Sequence, residues 1–260
     1  MLEVADSLIK ADGFNHLAGI VILAGGASKR MGSPKAELVL PIGERLLDYH
    51  VRQALELSAA MMSNMPIMIA DNGRGFSINP NLIKSSKSSI FHIRDYLSAN
   101  TFSSKNISGK NLSNKDDKSI ETGGALVAIE AALQSLKSLA SSNQLTKDAS
   151  WQQSWLLVIS CDSLIPISDL WQKLQPYITQ AADKSVVCLT DDSHLYPLLG
   201  LYRLDMEHDL KRYIDDEQRQ VMKFIKPIVQ PVPFAKAWQN LTNFNTPKDF
   251  ARACLALNNL

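Results

Sequence analysis

Residues Gly19 to Ala24 read Gly-Ile-Val-Ile-Leu-Ala and run without a polar interruption into Gly25-Gly26. A continuous apolar run, rich in β-branched residues and closed by paired glycines, is the pattern of a strand buried on both faces, as in a parallel sheet. A second such run, Trp155 to Ser160, ends in Cys161-Asp162. Pro66 to Ala70, Ile90 to Ile93, Ser185 to Leu189 and Leu198 to Tyr202 read as further strands. Helical spacings lie between them. Leu47, Val51, Ala54, Leu55 and Ser58 form one set, and Leu126, Ile129, Leu133 and Leu136 another that begins near Gly123-Gly124. Ser168 is a candidate N-cap for a helix to about Ala181. Asp205 to Tyr213 and Gln220 to Ile225 also read as helical. Thr246 as N-cap and Pro247 at the first helical position open a last helix. Strands alternating with helices predict an α/β fold: one domain, a mostly parallel sheet, and helices on both faces.

The 260-residue length suits one such domain. Residues 1–17 read as an N-terminal extension and residues 18–260 as the domain. Two polar stretches interrupt it. Leu97 to Ser119 is dense in Ser, Asn and Lys and reads as a mobile surface insertion, and Ser141 to Ser154 reads the same way. A formal net charge of +1 lacks the electrostatic footprint of a nucleic-acid binder. Cys161, Cys188 and Cys254 are odd in number and match no zinc spacing, which fits a reducing compartment. The longest apolar stretch, Leu17 to Ala27, is too short and glycine-rich for a membrane span, and no signal-type run precedes it. The expectation is a cytoplasmic protein with no membrane and no nucleic-acid partner.

In parallel α/β sheets ligands collect at the carboxyl ends of strands, and both distinctive polar features follow strong strands. The first is the loop Leu23-Ala24-Gly25-Gly26-Ala27-Ser28-Lys29-Arg30-Met31-Gly32-Ser33-Pro34-Lys35. Glycines let backbone N–H groups approach an anion, Arg30 can fork onto phosphate oxygens, and Lys35 supplies a mobile charge. The loop is neither a Walker A motif nor the G-x-G-x-x-G dinucleotide pattern. A strand-to-helix turn with solvated lysines is the plainer alternative. The second feature is Asp162. A carboxylate at a strand's end suits Mg²⁺, which takes few protein ligands and leans on substrate phosphates, and it suits a helix cap or turn equally. Cys161 reads as packing. The third is Asn243-Phe244-Asn245-Thr246-Pro247. On an extended segment two asparagines two apart point to one side, and their amides suit a heterocycle edge or a ribose; turn and cap chemistry also accounts for them. His194 reads as a solvated loop histidine, and no Ser/His/Asp or Cys/His pairing stands out.

Taken together these segments resemble the molybdenum cofactor guanylyltransferases, the MobA-like nucleotidyltransferases. Leu23 to Lys35 resembles that family's L-A-G-G-x-S-x-R-M-G-x-x-K signature at every fixed position. Gly123-Gly124-Ala125-Leu126 is similar to its G-P-L-A-G stretch, with Gly124 in place of proline. Leu157 to Asp162 resembles its strand ending in Cys-Asp, and Asn243 to Pro247 its closing N-x-N-T-P. The resemblance implies a Rossmann-like nucleotidyltransferase fold and transfer of GMP from GTP to the terminal phosphate of molybdopterin, releasing pyrophosphate. It further implies nucleotide contacts at Leu23, Ala24, Gly25, Gly26, Lys35, Asp95 and Asp162. Catalytic roles would fall to Arg30, Lys35 and Asp162, with Mg²⁺ on Asp162 and the pterin on Asn243 and Asn245. Molybdopterin-handling proteins and apo-molybdoenzymes are the candidate protein partners. The cytidylyltransferase branch, whose loop typically reads L-A-A-G, and a catalytically silent nucleotide or pterin binder that delivers cofactor are the alternatives. The chain departs from the family pattern at Ser163-Leu164, where a proline usually stands nearer Asp162, and at Asp71-Asn72-Gly73-Arg74, where Ala-Asn-Arg is usual.

Overall fold

The computed structural model describes residues 17–26, 28–97, 124–142 and 149–259. In chain order the elements are β1 (Leu17–Leu23), α1 (Leu46–Ala60), β2 (Ile67–Ala70), α2 (Pro80–Ser85), β3 (Ile90–Ile93), α3 (Ala125–Ser142), α4 (Ala149–Gln152) and β4 (Trp155–Ser160). There follow α5 (Ile167–Leu174), β5 (Val186–Thr190), β6 (Leu195–Arg203), α6 (Glu207–Asp215), α7 (Val221–Ile225), β7 (Val229–Pro233) and α8 (Pro247–Leu257). The strands make one seven-stranded sheet in the order β3-β2-β1-β4-β6-β5-β7. Only β6 runs against the rest, pairing antiparallel with both β4 and β5.

The doubly buried reading of the two strongest apolar runs holds. Along β4, Trp155, Leu157 and Ile159 enter the core on one face, while Leu156 and Val158 enter the core on the other. The first core also takes Leu46, Leu47 and Val51 of α1, Ile167 and Leu170 of α5, and Ala253 and Cys254 of α8. The second takes Leu126, Ile129 and Leu133 of α3, Leu210 and Ile214 of α6, and Ile225 of α7. The chain is therefore an α/β protein, with a mostly parallel sheet between two helical layers.

Several boundaries differ from expectation for identifiable reasons. β1 begins at Leu17, inside the stretch assigned to an extension, because Leu17 pairs with Trp155 and is buried. The helix expected from Ser168 to Ala181 starts at Ile167 after Pro166 and stops at Leu174; Gln175–Tyr177 is a 3-10 turn. Pro176 has no N–H to continue the α-helical ladder and crowds the preceding turn. The second polar stretch is partly regular: Ser141 and Ser142 complete α3, and Ala149–Gln152 forms α4. Residues 98–123 and 143–148, where the mobile insertions were expected, and Gly123 with them, lie outside the described residues, as does nearly all of the 1–17 extension. β7 was not anticipated. It holds Pro231 and Pro233, and it lies at the edge of the sheet, where proline's missing donor is tolerated.

Candidate functional site

The strand order reverses direction between β1 and β4: β2 and β3 lie on one side of β1, and β4 with the later strands on the other. A crevice opens outside the carboxyl ends of strands at such a point. It is present here as a cleft of about 420 Å³ lined by Leu23 to Gly26 past β1, Ala70 and Asn72 past β2, and Ser160 to Asp162 past β4. Arg30, Lys35, Asp95, Gly124, Ala125 and Asn245 complete its main walls.

The glycine loop reaches this cleft because nothing larger fits. A Cβ on Gly25 would stand 3.0 Å from Asn72 Cβ and 3.2 Å from Asn72 N, so the β1 and β2 loops touch backbone to backbone. The loop then closes on Ser28. Its hydroxyl accepts from the Lys35 N–H at 3.2 Å, and its carbonyl accepts from the Met31 N–H at 2.9 Å. A 3-10 turn beginning at Lys35 directs that side chain back across the loop.

Three residues far apart in sequence meet there. The Lys35 ammonium donates to Asn245 Oδ1 at 2.9 Å and lies 3.4 Å from Asp162 Oδ2. It also sits 5.7 Å from the centre of the buried Phe244 ring. The Lys35 side chain is only 14% exposed, so the ammonium depends on these acceptors for the hydration it has lost. Arg30 stands exposed at the rim. Cys161 is buried between Ser160 and Asp162; burial, and then the Asp162 charge, pushes its thiol far above the usual range, so it packs and does not act as a nucleophile.

Every nucleotide-contact residue expected from the sequence (Leu23, Ala24, Gly25, Gly26, Lys35, Asp95, Asp162) lines this cleft, as do Arg30 and Asn245. Asn243 does not. The expected extended segment is absent: Asn243 has φ of +56°, a left-handed turn that asparagine tolerates, and its side chain is exposed. Its carbonyl instead accepts from Asn245 Nδ2 at 3.1 Å, which turns Asn245 Oδ1 toward Lys35. Gly124, in the family's proline position, has φ of +84°, which proline's ring forbids. His194 is a loop histidine outside the cleft, with a side chain 74% exposed.

Two cleft features were not nominated from sequence. Asn72 lines the cleft in the left-handed conformation at φ of +57°, and its Nδ2 is buried without a hydrogen-bond acceptor. Arg74 donates from Nη1 to Gly26 O at 2.9 Å, tying the β2 loop to the glycine loop. Buried Asp71 shapes this second loop, accepting from the N–H groups of Gly73 and Phe76 at 3.1 and 3.0 Å and pairing with His92 Nδ1 at 2.9 Å. Asn72 follows its strand as directly as Asp162 follows its own, and only its buried amide sets it apart.

Fold and cleft together define an α/β protein with a cleft at its topological switch point, lined by Arg30, Lys35 and Asp162. The family model of the MobA-like NTP transferase domain matches residues 20–69, which take in the second half of β1, the glycine loop, α1 and most of β2. Among solved structures, the chain is similar to molybdopterin-guanine dinucleotide biosynthesis protein A from Archaeoglobus fulgidus, at 17% identity and a TM-score of 0.58. That match covers 93% of this chain and 100% of the other. It is also similar to 4-diphosphocytidyl-2C-methyl-D-erythritol synthase from Anaerococcus prevotii, at 12% identity and a TM-score of 0.54, covering 94% and 99%. No curated protein sequence matches significantly. The chain thus matches the MobA-like NTP transferase domain over residues 20–69, and its described residues share the fold of both solved structures. Among the described residues, no helix is long and apolar enough to cross a membrane.

Proposed function

We propose that the chain is a GTP:molybdopterin guanylyltransferase. The observation that supports this most is the meeting of Lys35, Asp162 and Asn245 beside the glycine loop, in the crevice at the sheet's switch point. A terminal phosphate oxygen of molybdopterin attacks the α-phosphorus of GTP. A P–O bond forms, the bond from the α-phosphorus to the bridging oxygen breaks, and pyrophosphate leaves. The attacking phosphate is already anionic near neutral pH, so the step requires no general base. The cleft holds no histidine among its lining residues, which is compatible with that.

The donor set fits Mg²⁺. Asp162 Oδ2 and Asn245 Oδ1 are hard oxygen donors that converge on one cation, the Lys35 ammonium. Among the described residues no group of three or more His, Cys, Asp or Glu competes as a metal site. One carboxylate and few protein ligands suit an ion that keeps waters and binds phosphates. When bound, Mg²⁺ supplies charge neutralisation at the phosphates. Lys35 and Arg30 add positive charge on the same oxygens, and positioning with charge neutralisation is what phosphoryl-type transfer requires. Backbone N–H groups of the Gly25-Gly26 turn approach the phosphates without side-chain hindrance. Asn72 lines the cleft, and its buried Nδ2, without an acceptor among the described residues, is the amide closest to serving the nucleotide once the β2 loop adjusts. Asp95 and the N-terminal residues of α3 close the other wall. Guanine in preference to cytosine rests on the resemblance of Gly25 and of Asn243 and Asn245 to the guanylyl pattern, the cytidylyl branch having alanine at the Gly25 position.

Thermal shift with GTP, CTP and ATP in the presence of Mg²⁺ tests the nucleotide. A ligand at a hundred times its Kd stabilises by about 2.7 kcal/mol, so a shift specific to GTP is expected. A preference for CTP would transfer the protein to the cytidylyl branch. Pyrophosphate release then separates an enzyme from a silent binder. Asp162→Ala should abolish release while leaving the melting temperature within a few degrees, and full activity in that variant would remove Asp162 from the mechanism.

A further inference from the structure

The Lys35 ammonium is bonded to the oxygens that the ion is expected to take. A protonated lysine has donors and no acceptor capacity, and a divalent cation on Asp162 would repel it. Both cannot share Asp162 Oδ2 and Asn245 Oδ1 without cost. Lys35 is largely buried, so losing those acceptors leaves its charge poorly solvated unless another anion replaces them. Its flexible four-carbon stem can carry the ammonium a few ångströms to such an anion. Asn245, by contrast, is held in place: its Nδ2 is committed to Asn243 O, and the next residue, Thr246, is fixed in a capping box at the start of α8. Asn245 Oδ1 is thus fixed by its neighbours, while the ammonium sits at the end of a flexible stem.

We propose that Lys35 is a displaceable counter-cation that keeps the divalent-ion seat closed until nucleotide arrives. In the free protein its ammonium holds Asp162 Oδ2 and Asn245 Oδ1. Nucleotide phosphate draws the ammonium away and thereby frees both oxygens for the ion, so ion and nucleotide bind together. This deepens the functional reading above, and it rests on that reading in taking Asp162 and Asn245 as the ion's ligands. It gives Asn245 a place at the ion, whereas the sequence motif implied a place at the pterin. It also assigns Asn243 the role of orienting Asn245.

The test uses Mn²⁺ alone, without nucleotide, with the unbound ion counted by its paramagnetic resonance signal. Lys35→Met, which keeps the apolar stem, should bind Mn²⁺ about tenfold more tightly than the wild type, the order expected for removing one charge about 4 Å away. Lys35→Ala should act in the same direction. Adding Asn245→Ala to Lys35→Met should reverse the gain, and adding Asp162→Asn should abolish binding; circular dichroism checks that each variant is folded. Unchanged or weaker Mn²⁺ binding by both Lys35 variants would overturn the proposal, as would absence of Mn²⁺ binding throughout. Pyrophosphate release from GTP by the wild type with Mg²⁺ is measured in parallel, so failure of the counter-cation and failure of the guanylyltransferase reading give different results.

Discussion

His50, on α1, is fully buried, and neither ring nitrogen has a hydrogen-bond partner among the described residues. Burial lowers its pKa to about 3, so the folded protein keeps the ring neutral while the unfolded chain takes up a proton near pH 6.5. The unfolded state then binds more protons between those values, and stability falls as pH drops through that window. By pH 5 the loss is about 2 kcal/mol. His50→Leu should therefore lose less melting temperature than the wild type between pH 7 and pH 5. Equal losses would show that His50 finds a partner in solution. Gly25 is the matching case in the cleft. Gly25→Ala places a methyl group against the Asn72 backbone, and overpacking of this kind costs about 1–3 kcal/mol. The β1 and β2 loops must separate, so KM for GTP should rise with a smaller change in kcat. At this scale the sequence was most legible. Gly25, Lys35 and Asp162 stand out by residue type and by position after strands. Asn72 did not, because an asparagine after a strand is ordinary until its amide is seen buried and without an acceptor.

Among the elements, α8 shows local chemistry deciding a boundary. Thr246 Oγ1 accepts from the Asp249 N–H at 3.3 Å, Asp249 Oδ2 accepts from the Thr246 N–H at 3.1 Å, and Pro247 opens the helix. Removing an N-cap of this type costs about 1 kcal/mol, so Thr246→Ala should lower the melting temperature by several degrees. It should also loosen Asn245, one residue upstream, and weaken Mg²⁺-dependent GTP binding by more than a distant change of equal stability cost. A binding loss no larger than the control's would detach the cap from the site. Capping signals of this kind were readable because they act within four residues. The termination of α5 at Leu174 was less so, since apolar spacing continues past Pro176 while the backbone ladder does not. β7 was missed because its two prolines argue against a strand, and only its edge position makes them tolerable.

At the scale of the whole molecule, both helical layers bury ionisable groups, His50 in one and Glu130 with Glu207 in the other. Between α3 and α6, Glu130 is fully buried, accepts from Gln134 Nε2 at 2.8 Å, and faces Glu207, which is bridged to Lys137 at 2.8 Å. Burial, and then the Glu207 charge, raises the Glu130 carboxyl well above the usual range. A raised carboxyl pKa means that the folded state holds a proton the unfolded chain has lost, so stability declines as pH rises from the unfolded value toward the folded one. Glu130→Gln should flatten the fall in melting temperature between pH 5 and pH 8; an unchanged slope would show that the loss arises elsewhere. The two strongest strands, their burial on both faces, the glycine loop and the aspartate were determined by the sequence alone, because hydrophobic runs and turn residues act through near neighbours. The insertion of β6 between β4 and β5, the approach of the β2 loop to Gly25, and the joining of Lys35 to Asp162 and Asn245 across more than a hundred residues were decided only by the tertiary structure. Those contacts depend on which strand ends lie side by side, and that is set by how the whole chain shares one sheet.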